Sequence, residues 1–166
     1  MSRPLFTVIM PTYQRAVMLP SAVQTLLDQT CQDYECIIVD DSSTDGTEDV
    51  VRGLRLPERF SYFRLEGHPG NMFARNRALE RAKGAWITYL DTDDFYLPDR
   101  LMEFKKASEA RPEVGFWYSN GYTHRFGRLI SRVFDPESQV PAGKFPGWYA
   151  VGDRRMPYLT TNISIR

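Results

Sequence analysis

The feature that most constrains this chain is a regular alternation. A short apolar run is followed by a turn, then by a stretch with helical spacing, then by another apolar run. Leu5–Met10, with β-branched Val8 and Ile9, reads as a buried strand closed by Pro11. Leu19, Val23, Leu26 and Leu27 follow at i, i+4, i+7 and i+8 and predict a helix with one apolar face. Pro20 falls in its first turn, where a missing N–H costs little. Glu35–Asp40 is a second buried strand, and the turn residues Ser42 to Gly46 lead into a helix burying Val50, Val51 and Leu54. Phe60–Leu65 reads as a third strand, and His68-Pro69-Gly70-Asn71 breaks the chain. Met72–Lys83 is helical, with Ala74, Ala78, Leu79 and Ala82 turned inward and Gly84 as its stop. Ala85–Leu90 is a fourth strand, Pro98–Ala110 a helix pointing Leu101 and Phe104 inward, and Val114–Ser119 a fifth strand. This order predicts an α/β fold: three layers, α/β/α, around a central and mostly parallel sheet.

After residue 120 the pattern changes. Tyr122–Phe126 and Leu129–Phe134 flank Gly127-Arg128 as in a hairpin, Asp135–Gly152 is rich in Pro and Gly, and Tyr158–Ile165 reads as a last strand. A length of 166 residues suits a single domain of ~150 residues. Its parts are an α/β portion, 1–120, and an irregular, β-rich C-terminal third, 121–166. Hydrophobic residues make up 42% and charged ones 25%, which excludes disordered and fibrous classes. Lys plus Arg and Asp plus Glu both total 21, and neither half is a basic arm, so nucleic acid is not an expected partner. The longest apolar runs fall far short of the ~18–20 residues of a transmembrane helix, and the first residues lack a signal-peptide core. Cys31 and Cys36 lack metal-site spacing and read as reduced, partly buried thiols. The expected location is therefore cytoplasmic, with a peripheral position on the inner face of a membrane left open.

In open α/β sheets, ligands bind beyond the carboxyl ends of the strands. Three polar clusters stand there: Pro11-Thr12-Tyr13-Gln14-Arg15, Asp40-Asp41-Ser42-Ser43 and Asp91-Thr92-Asp93-Asp94. The fold brings them to one rim although they are distant in sequence. Carboxylates as crowded as those of the third cluster repel one another unless a cation lies between them. Their hard oxygens suit Mg²⁺ or Mn²⁺. A lone Asp there would read as a cap for the next helix; Asp-x-Asp-Asp favours the cation. For Asp40-Asp41, ligand contact and a structural turn fit equally, because Asp45 is the better candidate for capping the following helix. Tyr13 either stacks on a base or packs on its own domain. Arg75 and Arg77 either face phosphates or are solvated. No phosphate loop, dinucleotide fingerprint, nucleophile elbow or zinc-protease motif occurs.

Four stretches together resemble the family-2 glycosyltransferases of the GT-A fold: Thr7–Arg15, Ile38–Thr47, Gly70–Ala78 and Gly84–Phe95. They cover roughly residues 4–120 in the family's order and spacing. The resemblance implies that Pro11, Thr12 and Tyr13 line a nucleotide base. It implies that Asp41, with Asp40 beside it, reads the base edge, most often uracil. Arg75 is implied near the base or diphosphate, with Asn76 supporting the loop. Asp91 and Thr92 are implied at the ribose or sugar, and Asp93 with Asp91 at a metal, Mn²⁺ or Mg²⁺. The implied partners are a nucleoside-diphosphate sugar, UDP-linked above all, and a glycan or other hydroxyl acceptor. The implied reaction is metal-assisted transfer with inversion, in polysaccharide biosynthesis.

The family's general base usually lies on an acidic motif after the strand that Thr160–Arg166 resembles. Asp153, the last acid of this chain, precedes that strand, so no catalytic residue is assigned. The expectation is a chain truncated at its C-terminus, with 121–166 the start of an acceptor-side part where Trp148 and Tyr149 fit lining and packing equally. The alternatives are acceptor activation from elsewhere, or a donor-binding module without turnover. A phosphoacceptor signalling domain would need an acidic pair after the first strand, where this chain has Pro-Thr-Tyr.

Overall fold

In the computed structural model, the described residues are 3–119, 122–125, 128–132 and 163–165. Strands β1 (Phe6–Thr12), β2 (Tyr34–Asp40), β3 (Phe60–Arg64) and β4 (Trp86–Tyr89) alternate with helices α1 (Leu19–Leu27), α2 (Thr47–Gly53) and α3 (Asn71–Leu79). Helix α4 (Arg100–Ala110) then leads to β5 (Phe116–Tyr118). The short strands β6 (Tyr122–Arg125) and β7 (Arg128–Arg132) form an antiparallel hairpin, as the Gly127-Arg128 turn suggested, with a register shift between Thr123 and His124. Strand β8 is Ile163–Ile165. The Pro/Gly-rich stretch, with Trp148, Tyr149 and Asp153, lies outside the described residues, as do 158–162 of the expected last strand.

The main sheet has the order β3-β2-β1-β4-β8-β5. β1 pairs in parallel with both β2 and β4, and β2 with β3. The fifth strand does not lie beside the fourth. β8 enters between them, antiparallel to both. The sheet is thus parallel across four strands and mixed at one flank.

Period-two alternation divides the strands between two cores. Phe6, Val8 and Met10 of β1, Cys36 and Ile38 of β2, and Trp86 of β4 pack with Leu19, Val23 and Leu26 of α1, Val51 of α2, and Leu101 and Phe104 of α4. Ile9, Ile37, Val39 and Tyr89 face the other way, against Ala74 and Ala78 of α3. The split follows from direction. The first two crossovers step outward from β1, whereas the third returns across the sheet, so keeping the right-handed sense puts its helix on the opposite face. Alanines on α3 let that helix lie close to the strands.

Two expectations about α3 need correction. The helix ends at Leu79, which is exposed, and only Ala74 and Ala78 of its expected inner face are fully buried. Gly84 is not its C-terminal stop, since Glu80 is the cap residue. Gly84 is small because β1 runs past it. A Cβ there would lie 2.3 Å from the Thr7 amide nitrogen and 2.5 Å from the Phe6 carbonyl carbon. The Gly84 amide donates to Thr7 Oγ1 at 2.8 Å, and that hydroxyl donates to Glu35 Oε1 at 2.6 Å. Cys31 and Cys36 are buried free thiols, and burial pushes the Cys36 thiol up, consistent with an inert core position.

Candidate functional site

The chain goes outward from β1 to β2 and β3, then returns to β1's other side as β4. The strand order therefore reverses between β1 and β4, and a crevice opens beyond the carboxyl ends of these two strands. A cleft of about 310 Å³ lies there, lined by Pro11, Thr12, Tyr13, Arg15, Asp41, His68, Asn71, Ala74, Asp91, Thr92 and Asp93. That volume is at the lower end of the ~300–1,000 Å³ of small-molecule sites. All three polar clusters reach it. Of the residues expected at the site, Asp40 and Arg75 are not in the lining.

The loops beyond β1, β2 and β3 are laced together. The Asp41 amide donates to the Thr12 carbonyl at 2.9 Å and the Leu65 amide to the Asp40 carbonyl at 2.7 Å. The Gln14 amide donates to Ser43 Oγ at 2.9 Å, and Ser42 Oγ donates to the Leu65 carbonyl at 2.6 Å. Each loop carries one non-glycine residue with left-handed backbone: Gln14, Ser42 and His68, at φ 53°, 69° and 49°. Such conformations cost ~1–2 kcal/mol each, and these cross-links hold them.

Asp40 is fully buried. Its Oδ1 accepts the Ser43 amide at 2.9 Å and its Oδ2 the Tyr62 hydroxyl at 2.7 Å. Burial first, and then this carboxylate, push the Tyr62 phenol well above its ordinary range, so it remains a donor at neutral pH. Asp40 therefore shapes the loop and does not face the cleft. Asp41 does, although its side chain is only 4% exposed. Both its oxygens accept the Gly70 amide, at 3.1 and 3.2 Å, and its Oδ2 lies 2.7 Å from His68 Nδ1. The Tyr13 ring stacks on the His68 imidazole, with centroids 3.9 Å apart and planes at 20°. Thr12 is buried in the lining, and its Oγ1 has no hydrogen-bond partner among the described residues.

Across the cleft, Asp91 Oδ1 accepts from Arg75 Nη2 at 2.6 Å in a partly buried pair. Asp93 Oδ2 lies 3.8 Å from Arg15 Nη2, with the side chains 55% and 45% exposed. The positive charge that crowded carboxylates demand is thus supplied in part by two arginines from other elements. Arg77 turns outward to Glu80. The Asp94 amide donates to the Asp91 carbonyl at 2.9 Å and closes the turn. Below it, the Tyr96 hydroxyl bridges Thr88 Oγ1 and the Tyr89 carbonyl, at 2.9 and 2.6 Å. Gln29 accepts the Leu101 amide at 3.0 Å and donates to the Leu97 carbonyl at 2.8 Å, pinning the far end of the loop. Asp45, the residue expected to cap α2, lies one residue before the observed N-cap, Gly46. It accepts the Thr47 and Ala16 amides, at 3.2 and 2.9 Å, and so ties the β2 loop to the segment that carries Arg15.

Sequence reasoning assigned no role to His68, Arg15 or Asn71. An imidazole in a Pro-Gly turn at the same rim, and a guanidinium in the first cluster, were the available signals.

The model of the family described as glycosyl transferase family 2 matches residues 7–162. The chain belongs to glycosyl transferase family 2. A relative from Campylobacter jejuni, GalNAc(5)-diNAcBac-PP-undecaprenol beta-1,3-glucosyltransferase, is 35% identical over 133 residues, which are 76% of this chain and 38% of that protein. The crystal structure of S. aureus TarS 1-349 in complex with UDP superposes with a TM-score of 0.64 at 25% identity, covering 76% of this chain and 38% of that one. The mannosyltransferase PcManGT from Pyrobaculum calidifontis, in complex with GDP-Man and Mn2+, gives 0.61 at 28% identity, covering 69% and 35%. These neighbours are GT-A glycosyltransferases, and this family-2 chain shares their fold. It spans about 40% of the length of the first curated relatives it matches. No helix among the described residues is long and apolar enough to cross a membrane.

Proposed function

We propose that this chain is the donor-binding part of an inverting glycosyltransferase. It takes a sugar from a nucleoside diphosphate, UDP first, and passes it to a hydroxyl of a growing glycan on the cytoplasmic side of a membrane. The observation that carries the reading is the convergence, at the switch point between β1 and β4, of an aromatic ring, a buried carboxylate and two cleft-facing acids. Solved neighbours in complex with UDP and with UDP-GlcNAc support the choice of nucleotide.

Each side chain then has a task. Tyr13 offers a ring for the base and Asp41 accepts an N–H from its edge. Thr12 Oγ1, without a hydrogen-bond partner among the described residues, stands ready for a polar ligand atom, with Pro11 beside it in the lining. Asp40 positions Asp41 from behind. Asp91 and Thr92 lie toward the ribose and sugar, and Arg75 holds Asp91 in place.

Among the described residues no three His, Cys, Asp or Glu side chains form a ready-made metal cage. The donor set nevertheless fits Mg²⁺ or Mn²⁺, which are commonly held by one or two carboxylates plus substrate phosphates. Asp93, exposed in the cleft, and Asp91 would hold it. Such an ion offsets charge developing on a departing diphosphate. In the transfer, an acceptor oxygen bonds to the sugar's C1 as the C1–O bond to the diphosphate breaks, and the acceptor's proton passes to a base. Among the described residues, the acids lining the cleft are Asp41, Asp91 and Asp93, each already paired with a basic side chain. None is assigned as that base; the second reading is that this chain binds donor without turning it over.

Titration calorimetry with UDP decides the first point. Binding that requires Mg²⁺ or Mn²⁺ and weakens at least ~10-fold in Asp93→Ala supports the reading; metal-independent affinity that ignores the substitution overturns the metal role. Release of UDP from a UDP-sugar separates turnover from binding alone.

A further inference from the structure

The base site proposed above asks for two things: a flat ring on Tyr13, and an N–H pointed at Asp41. Both contacts are already made from within. The His68 imidazole stacks on Tyr13 at 3.9 Å between centroids. Its Nδ1 lies 2.7 Å from Asp41 Oδ2 and 3.1 Å from the Asp41 carbonyl. Both partners are acceptors, so Nδ1 must carry the proton to bond either one. A planar heteroaromatic ring with a donor on its edge is also what uracil presents at N3. The ring separation leaves no layer between Tyr13 and His68 into which a base could slide.

We propose that His68 sits in the nucleobase seat of the free protein, so that donor entry and His68 withdrawal are one exchange and His68 sets donor affinity. The inference rests on the donor-binding reading and names the residue that tunes it.

The surroundings allow the exchange. The His68 side chain is 49% exposed on its outer side. Its left-handed φ of 49° lies between Gly67 at 76° and Gly70 at 97°, where an added Cβ would meet nothing within 4 Å, so the space around this turn is open. Ser42 Oγ accepts the His68 amide at 3.2 Å and holds the turn, while the two ring contacts hold the imidazole in. When it leaves, Asp41 keeps the Gly70 amide against both its oxygens. The buried carboxylate is therefore never without a donor while the seat changes hands. Only the fraction of molecules with His68 withdrawn is competent to bind, and apparent affinity falls by that fraction.

The test uses the whole chain, UDP and Mg²⁺. His68→Gly relieves the positive φ and removes the competing ring. His68→Asn tolerates the same backbone but cannot stack on Tyr13. Both are expected to bind UDP roughly 3- to 10-fold more tightly than wild type. In parallel, His68 and His124 are the chain's two histidines, so the His68 ring protons are assigned by their loss in His68→Gly. They are expected to resonate upfield in the free protein, under the Tyr13 ring current, and to lose that shift at saturating UDP. Unchanged or weaker binding by both variants, or a His68 signal that stays in place while UDP binds, overturns the proposal. If neither the wild type nor the variants bind UDP, the donor-binding reading itself fails; if the variants alone bind, the exchange is supported.

Discussion

Asp40 and Asp41 close β2, and Asp91 and Asp93 follow β4. All four stand at one edge of one parallel sheet, separated by the width of a cleft. The first pair is buried and held by the protein's own polar hydrogens: two amides, a phenol and an imidazole. The second pair is partly to half exposed and faces two guanidinium groups. Amide and phenol donors fixed in the fold make a rigid wall, because nothing can leave without exposing an unpaired group. Arg15, half-exposed and 3.8 Å from Asp93, is a weak, exchangeable partner, whereas Arg75 is largely buried and holds Asp91 at 2.6 Å. The amides and the phenol on the first side keep its geometry, and on the other side it is Asp93 that can trade its counter-charge for that of a ligand.

This contrast can be broken from either side. The largest effect is expected from Asp40→Ala, which strands the Ser43 amide and the Tyr62 hydroxyl. Thermal or denaturant unfolding should show a loss of about 3 kcal/mol, a fall of roughly 6–12 °C in Tm. A stability equal to wild type would mean that this side is not the rigid one. Next in size, Asp93→Ala should leave the unfolding curve within about 0.5 kcal/mol of wild type while lowering metal-dependent UDP affinity. A large drop in Tm instead would make Asp93 structural.

Asp45→Ala probes the strap between the two rim loops, with a stability cost of under about 1 kcal/mol for so exposed a group. Partial burial raises the Asp45 carboxyl, but hydrogen bonds from the Thr47 hydroxyl and the Ala16 and Thr47 amides outweigh it and hold the group below its ordinary range. A depressed folded value means that its contribution is present above the unfolded value of ~3.9 and lost as pH falls through the folded one. The gap between wild type and Asp45→Ala should therefore close on acidification below pH ~4 and hold constant from there to neutrality. The smallest effect belongs to Arg15→Ala, whose exposed pairing with Asp93 at 3.8 Å should be worth at most about 0.5 kcal/mol to stability.

Much of the architecture is legible in local pattern. The elements from β1 to α4 announce themselves because each has its own apolar period, and the turn residues between them mark the edges. Placing the three polar clusters at one rim needed only the rule that parallel strands share a carboxyl end. What local pattern cannot carry is partnership at a distance. Nothing in Thr160–Arg166 says that its strand slips between the fourth and fifth and runs against both. Gly84 looked like a helix stop because its true constraint, the passing backbone of Thr7, lies 77 residues away. Asp40 and Asp41 are adjacent and chemically identical, and only the fold decides that one faces Tyr62 and the other the cleft. His68 is legible as an imidazole in a Pro-Gly turn at the same rim, but a histidine in a turn carries no mark of the ring it will rest upon.

The insertion of β8 has a consequence for how the chain assembles as it is made. Among the described residues, Ile87 and Thr88 find their outer neighbours in Ile165 and Ser164, and β5 is joined to the sheet through that same late segment. Until the ribosome has delivered it, β4 presents an open edge of unpaired amides and carbonyls, flanked by Trp86 and Tyr89, to whatever extended peptide is near. A nascent chain paused before this point would be exposed to wrong strand partners at that flank, and delivery of the β8 segment would close it.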